Sequence, residues 1–362
     1  MQSSSTAVFT IIVCSFLIPL SEQQYTPDWK SLDSRSLPAW YDEGKIGIFI
    51  NWGIYSVPSI GSEWMWWLWK GDNPDPSIVA FMNNNYPSDW TYADFAEQFH
   101  AELYGDLASA IRNRTDIVFG LYHSMFEWFH PLYLADKNNN FQTQFFPNVV
   151  NDRWGAGIPC HHGGFYTCSD RFNPGHLVTH KWENCFTIDK HSWGYIRTSG
   201  INDYLTIQEI LYQIITTVST GGNVLINVGP TSYGKIPPIY EERLRQMGSW
   251  LKVNGEAIYN SVPWKYQNDT INKNVWYTSS KDEQFVYACL LDWQKNTTEL
   301  VLGAPISSSS TSITLLGSGV GSLSWRLAGA SGGIIIELSN IKIYSLASDW
   351  AWVFKLQNIT PK

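Results

Sequence analysis

Ile46-Gly47-Ile48-Phe49-Ile50-Asn51-Trp52 is a short apolar run that ends in polar chemistry, and the design recurs at Ile117 to Ser124, His180 to Thr187 and Val224 to Val228. Continuous apolar runs of this length suit parallel strands covered on both faces. Helical patterns lie between them. Thr91 and Asp94 have capping-box spacing, and Tyr92, Phe95, Phe99 and Leu103 then share one helical face. Pro237 and Pro238 open a second helix, in which Tyr240, Leu244, Met247 and Leu251 keep the 3.6 period until Asn254-Gly255 stops it. Strand alternating with helix gives an α/β class, and polar residues at strand ends point to a (β/α) barrel. Only five barrel strands can be placed, around Ile48, Val118, Val149, Trp182 and Leu225. A closed barrel wants eight, so the expectation is a barrel-like but incomplete domain.

After Asn254 the period falls to two. Phe285, Tyr287, Cys289 and Leu291 alternate, as do Leu323, Trp325 and Leu327, and then Trp350, Trp352, Phe354 and Leu356. Turns such as Gly317-Ser318-Gly319 separate these runs, and Ser307 to Ser310 reads as a loop. Short alternating strands with turn signals make a β-sandwich. The expected division is a signal peptide at 1–22, a barrel-like domain at 23–253 and a β-sandwich at 254–362.

Charge and cysteines bound the setting. A net charge of −8 argues against nucleic acid as a partner, because a phosphate backbone selects basic surfaces. Thr6 to Leu20 is apolar and polar Ser21-Glu22-Gln23 follows, which is the pattern of a secretory signal and too short for a membrane span. Sequons at Asn113, Asn268, Asn296 and Asn358 are glycosylation sites only in an exported chain, and two of the four are expected to be used. Removal of Cys14 with the signal leaves Cys160, Cys168, Cys185 and Cys289, which permit three pairings. Disulfide bonding is the expected use of Cys160 and Cys168. Zinc held with His161 and His162 is the weaker alternative, so no metal and no cofactor is expected. Nineteen tryptophans exceed what packing alone asks for, and flat aromatic faces also stack on sugar rings.

An ordered series of stretches carries a resemblance. It runs from Trp40-Tyr41-Asp42-Glu43 and Trp52-Gly53 through Ser62-Glu63-Trp64 to Gly120-Leu121-Tyr122-His123-Ser124. Asn151-Asp152-Arg153-Trp154-Gly155, Cys160-His161-His162-Gly163-Gly164, Trp182-Glu183, Ser192-Trp193-Gly194-Tyr195 and Asn227-Val228-Gly229-Pro230 follow, and Asn254-Gly255-Glu256-Ala257 completes it. Together these resemble the α-L-fucosidases of glycoside hydrolase family 29. The resemblance implies retaining removal of terminal α-L-fucose from fucosylated glycans in the lysosome or outside the cell. It leaves linkage preference and homo-oligomerisation open. Such a mechanism needs a nucleophile and an acid/base about 5 Å apart. The resemblance places Asn51, Glu63, Trp64, Tyr122, His123, Arg153 and Trp193 around the sugar, and offers Asp170 and Glu183 as alternative acid/base residues.

Three departures qualify that expectation. Asn51 stands where the family has a histidine, and an amide cannot take up a proton near neutral pH. A Lys-His-His-Glu-Gly-type strand end is missing where Tyr104 runs into Gly105. The Trp-Ser-Asp-Gly-type strand end that carries the nucleophile is missing where Pro147 meets Asn148. The chain therefore reads as an internally shortened fucosidase, weakly active or inactive, with a non-catalytic fucose-binding, lectin-like role as the alternative.

Overall fold

A computed structural model describes residues 26, 28–122, 151–153, 157–293, 296–329 and 332–362. The signal-peptide stretch, the strand expected around Val149 and the candidate site residue His123 lie outside the described residues.

Helices α1 (Trp29–Leu32) and α2 (Ala39–Gly44) lead into strand β1 (Ile46–Ile50). Helices α3 (Met65–Lys70), α4 (Pro76–Asn85) and α5 (Leu103–Arg114) follow. Then come β2 (Trp182–Thr187), α6 (Ile207–Ser219), β3 (Gly222–Val228) and α7 (Pro238–Asn254). The three strands form a parallel sheet in the order β1-β3-β2, so the first strand lies beside the last. First beside last is the adjacency of a closing barrel, but no closed barrel is present among the described residues.

Period-two geometry gives the sheet two chemically different faces. Val224, Ile226 and Val228 of β3, with Phe186 of β2 and Ile46 and Ile50 of β1, enter one large core with Ile210, Leu211, Ile214 and Ile215 of α6. Trp250 and Leu251 of α7 close the same core. The register puts Gly47, Phe49, Asn223, Leu225, Asn227, Glu183, Cys185 and Thr187 on the opposite face. The free edge of β2 is not bare: Tyr166 N–H donates to Lys181 O, Glu183 N–H to Tyr166 O and Arg171 N–H to Cys185 O, at 2.7–2.9 Å.

The C-terminal half contains β4 (Ser261–Asn268), β5 (Val275–Ser280), β6 (Phe285–Leu290), β7 (Glu299–Leu302), β8 (Pro305–Leu315), β9 (Trp325–Leu327), β10 (Ile334–Glu337) and β11 (Trp352–Pro361). A five-stranded sheet ordered β4-β5-β6-β11-β8 faces a three-stranded one ordered β7-β10-β9. Val286, Ala288, Leu290, Phe354 and Leu356 of the larger sheet pack against Leu300, Leu302, Ile334 and Ile336 of the smaller. This is the expected sandwich. Its larger sheet is also covered on the far side, where Tyr287, Cys289, Val353 and Trp276 join the core of α6 and α7. Trp250 Nε1–H donates to Ala351 O at 2.8 Å and Thr278 Oγ1 to Ala257 O at 2.7 Å across this boundary.

Several expectations need correction. Ile117 to Tyr122 is not a strand, and Ile117, Val118, Leu121 and Tyr122 are all exposed. An apolar run becomes a strand only where a neighbour takes its hydrogen bonds, and β1, the adjacent candidate, pairs only with β3 among the described residues. The Thr91–Asp94 capping box forms, but it opens a 3-10 segment that ends at Gln98, so Phe99 and Leu103 do not share a helix with Tyr92. Ser307 to Ser310 belongs to β8. Pairing with β11 is interrupted there, and Ser308 N–H turns to Thr311 Oγ1 at 2.8 Å. Trp350 precedes β11 and packs with the first core, whereas Trp352, Phe354 and Leu356 face the second.

Asp269 organises the sandwich. Its buried carboxylate accepts from Ile271, Asn272, Gly303 and Ala304 N–H groups at 2.8–3.1 Å and from Tyr277 Oη at 2.7 Å. Truncation would strand those buried donors. Asp269→Ala should lower unfolding free energy by about 3 to 5 kcal/mol in denaturant titrations, against about 0.5 kcal/mol or less for exposed Asp292→Ala. Equal stability of the two variants would show that the cluster is not structural.

Candidate active site

The inner face of the parallel sheet ends, at the carboxyl ends of its strands, in a polar knot around Asn227. Its Nδ2 donates to Thr187 Oγ1 at 3.0 Å and to Trp193 O at 2.6 Å, and its Oδ1 accepts from Asn51 N–H at 3.0 Å. One buried amide thus ties the ends of all three strands to the segment carrying Trp193. Glycine permits the closeness: a Cβ on Gly229 would lie 2.4 Å from Tyr195 N. Sequence reasoning quoted Asn227 only as part of a motif. The missed signal was a polar residue with period-two spacing at the end of an apolar strand.

Asn51, Glu63 and Trp193 meet at this end. Asn51 Oδ1 accepts from Tyr55 Oη. Glu63 Oε2 accepts from Trp193 N–H at 3.2 Å and Gly194 N–H at 3.1 Å, so the carboxylate positions the aromatic segment. Trp64, next to Glu63, is half exposed. Phe49 links this end to Tyr122, with ring centroids 6.3 Å from Trp193 and 5.5 Å from Tyr122. Tyr122 in turn lies near Asn151, Arg153 and Asp170. Arg153 Nη1 makes a charge-assisted hydrogen bond to Asp170 Oδ1, and both side chains are about half exposed.

Beside them, Asp152 is fully buried and accepts from Cys160, Thr167 and Cys168 N–H groups and from Thr167 Oγ1, at 2.7–2.9 Å. Cys160 and Cys168 form a disulfide, with Cα atoms 4.9 Å apart. Their sulfurs and Asp152 group as metal donors would, but the sulfurs are bonded to each other. His161 Nδ1 faces Pro159 O, and His162 Nδ1 pairs with Asp33 Oδ2 at 2.8 Å while its ring stacks on Trp29. Cys185 and Cys289 are free thiols.

Glu183 sits elsewhere. It is the second residue of β2 and pairs in register with Asn223, the second residue of β3. That is the amino end of the strands, opposite to Asn51 and Asn227. Its carboxylate is buried and accepts from Tyr41 Oη at 3.1 Å. Burial pushes this acid up to about 7, against the opposing Tyr41 hydrogen bond and the charge of Lys181. Burial and the neighbouring Lys45 charge bring Lys181 down to about 8, while Asp42 pairs with both lysines. Cys185, two residues along β2, is pushed far up by burial and by the carboxylates of Glu183 and Asp170, and is an unreactive thiol.

Of the four sequon asparagines, Asn113 and Asn296 are exposed. Asn268 Nδ2, the atom that would carry a glycan, donates to Lys273 O and Val275 O at 2.9 Å. Asn358 Nδ2 donates to Ser310 O at 2.9 Å.

Comparison with known proteins places this geometry. A profile described as Alpha-L-fucosidase matches residues 13–105, 100–149 and 144–256, and one described as Alpha-L-fucosidase C-terminal domain matches 267–357. The plasma alpha-L-fucosidase of Rattus norvegicus is 43% identical over 438 aligned positions, spanning 93% of this chain and 95% of the relative. The alpha-L-fucosidase of Branchiostoma floridae is 41% identical, with 96% of this chain and 99% of the relative covered. The tissue alpha-L-fucosidase of Homo sapiens is 39% identical, with 93% and 92% covered. Among solved structures, the Thermotoga maritima alpha-fucosidase in complex with a mechanism based inhibitor superposes with a TM-score of 0.72. That match covers 92% of this chain and 100% of the other at 22% identity, a likeness of fold. The chain belongs to the alpha-L-fucosidase family of glycoside hydrolases.

Proposed function

We propose that this chain is a shortened α-L-fucosidase that keeps part of a fucose pocket and lacks the carboxylate that would attack the anomeric carbon. The observation that carries this reading is the pattern of matching. The family profile matches in three pieces that meet at 100–105 and 144–149. These are the two places where the sequence lacks the expected histidine pair and nucleophile strand ends. The alignment with the rat relative likewise runs over 438 positions, more than the 362 residues of this chain.

The remaining groups suit binding of a neutral sugar. Glu63 uses Oε2 to hold the Trp193 segment, which leaves Oε1 to accept from a hydroxyl. Arg153 and the Asn51 amide supply polar groups, and the rings of Trp64 and Trp193 supply apolar faces. Asp170 takes the acid/base role. Such a group must reach the glycosidic oxygen and exchange its proton with water, and Asp170 is half exposed whereas Glu183 is sealed at the other end of the sheet. Glu183 has a value near neutrality, as a proton donor needs, but access outweighs it, and its role is structural. Protonating the leaving group without a nucleophile completes no retaining cycle.

The expected signal, the exposed sequons Asn113 and Asn296, and relatives named for plasma and tissue support residence in the secretory pathway, in the lysosome or outside the cell. Those two asparagines are the expected glycosylation sites.

Purified 362-residue chain should hydrolyse a chromogenic α-L-fucoside about 10⁴ to 10⁶ times more slowly than a full-length relative. Turnover at rates typical of enzymes, or a fucosyl adduct trapped on an aspartate or glutamate by 2-fluoro-fucosyl fluoride, would overturn the proposal. Saturable binding of free fucose without turnover would favour the lectin-like role.

Glu183 gives a separate test. Its folded value of about 7 exceeds the ordinary 4.5, so the folded state binds this proton more tightly. Its contribution is therefore complete below about pH 4.5 and is lost as pH rises through about 7, on the order of 3 kcal/mol in all. Melting temperature should fall between pH 4.5 and 7.5, and Glu183→Gln should flatten that fall. Parallel pH profiles for the two proteins would refute a neutral buried Glu183.

A further inference from the structure

A groove runs along the outer side of α6 where it meets the sandwich, and no step proposed above uses it. It consists of two adjoining open depressions of about 370 Å³ and 300 Å³ that share Gln208 and Leu291. Tyr212 lines one of them, and Trp350 and Trp352 line the other. Since α6 covers the apolar face of the parallel sheet, the groove lies on the side of that sheet opposite to Phe49, Cys185 and Asn227. We infer that this groove is a second carbohydrate site, which takes an uncharged oligosaccharide.

Three observations converge. Tyr212 is 46% exposed although it belongs to a helix whose other face is fully buried, so its ring is presented and not packed away. Trp350 sits at φ 69°, a left-handed conformation that bulky residues rarely adopt and that marks a locally over-determined position. Gln213 Oε1 accepts from both Asn173 Nδ2 and Asn184 Nδ2 at 2.9 Å, which fixes the amide of a residue that lines the groove.

Charge selects the ligand class. Among the described residues no lysine or arginine lines either depression, while exposed Asp292 and Asp349 offer acceptors for hydroxyl groups. Glu209 is engaged by Thr206 and by Lys190. Aromatic faces, a fixed amide and carboxylate acceptors suit neutral sugars and repel sialylated or sulfated ones.

The test uses the full chain and a galactose-terminated biantennary N-glycan free of fucose and sialic acid, followed by saturation-transfer NMR and tryptophan fluorescence. Saturable binding is expected and should survive excess free fucose. Tyr212→Ala should weaken it about tenfold, and Tyr233→Ala, an exposed tyrosine elsewhere, should leave it unchanged. The sialylated counterpart should bind about tenfold more weakly. Absence of saturable binding, displacement by fucose, or wild-type affinity in Tyr212→Ala would overturn the inference. Capture of a basic peptide in place of the glycan would do the same.

Discussion

The parallel pairing of β1 with β3 is the contact on which the molecule depends. It brings a strand from the start of the catalytic half beside one from its end, so that Asn51 N–H can meet Asn227 Oδ1 at 3.0 Å. It also sorts side chains by alternation, with isoleucines and valines on one face and Asn223, Asn227, Phe49, Glu183 and Thr187 on the other. The apolar face then requires a cover, which α6 and α7 provide. Those helices require one in turn, and the larger sandwich sheet supplies it through Trp276, Tyr287 and Val353. The C-terminal half is thus part of the same hydrophobic unit, because its large sheet is buried on both sides.

Strands were legible in the sequence from short runs with apolar residues, as in β1, β2 and β3, although Ile48 of β1 stays exposed. The same signature failed at Ile117 to Tyr122, because hydrophobicity reports a face to be buried and says nothing about a partner for the backbone. Ser307 to Ser310 failed in the other direction. Serine is a turn former, yet the β8 backbone keeps its extended path with side-chain hydroxyls replacing lost ladder bonds, as between Ser308 and Thr311. The α6 start was written in Thr206-Ile207-Gln208-Glu209, a capping box realised in the structure but hidden among other polar clusters.

The candidate site is proposed from the sequence as a set of residues, and the sequence carries no arrangement for them. Motif order named Asn51, Glu63, Arg153, Asp170, Glu183 and Trp193 without saying which end of a strand each would occupy. Asp170 and Glu183 are thirteen positions apart in the sequence. Geometry separates them: one pairs with Arg153 in solvent, and the other is buried under Tyr41. Buried carboxylates also differ among themselves. Asp152 and Asp269 are ringed by backbone N–H donors and hold loops together. Among the described residues Glu183 has a single hydroxyl donor, and burial drives it toward its neutral form.

On the proposed reading, binding and chemistry draw on different parts of this chain, which is why shortening would part them. Glu63 and Trp193 reach the carboxyl end of the sheet from segments that follow β1 and β2, both of which are present and paired. Their positions are fixed by bonds among themselves and to Asn227, so nothing from an intervening strand is needed to set them. On the proposed reading, the attacking carboxylate belongs at the end of a strand that this chain skips, and no side chain on the described strands replaces it. Glu183 is at the wrong end of β2, and Asn51 can donate or accept a hydrogen bond but cannot form an ester. On that reading the pocket would hold a sugar hydroxyl by hydroxyl, and among the described residues no strand carries a carboxylate at this end of the sheet to displace the leaving oxygen.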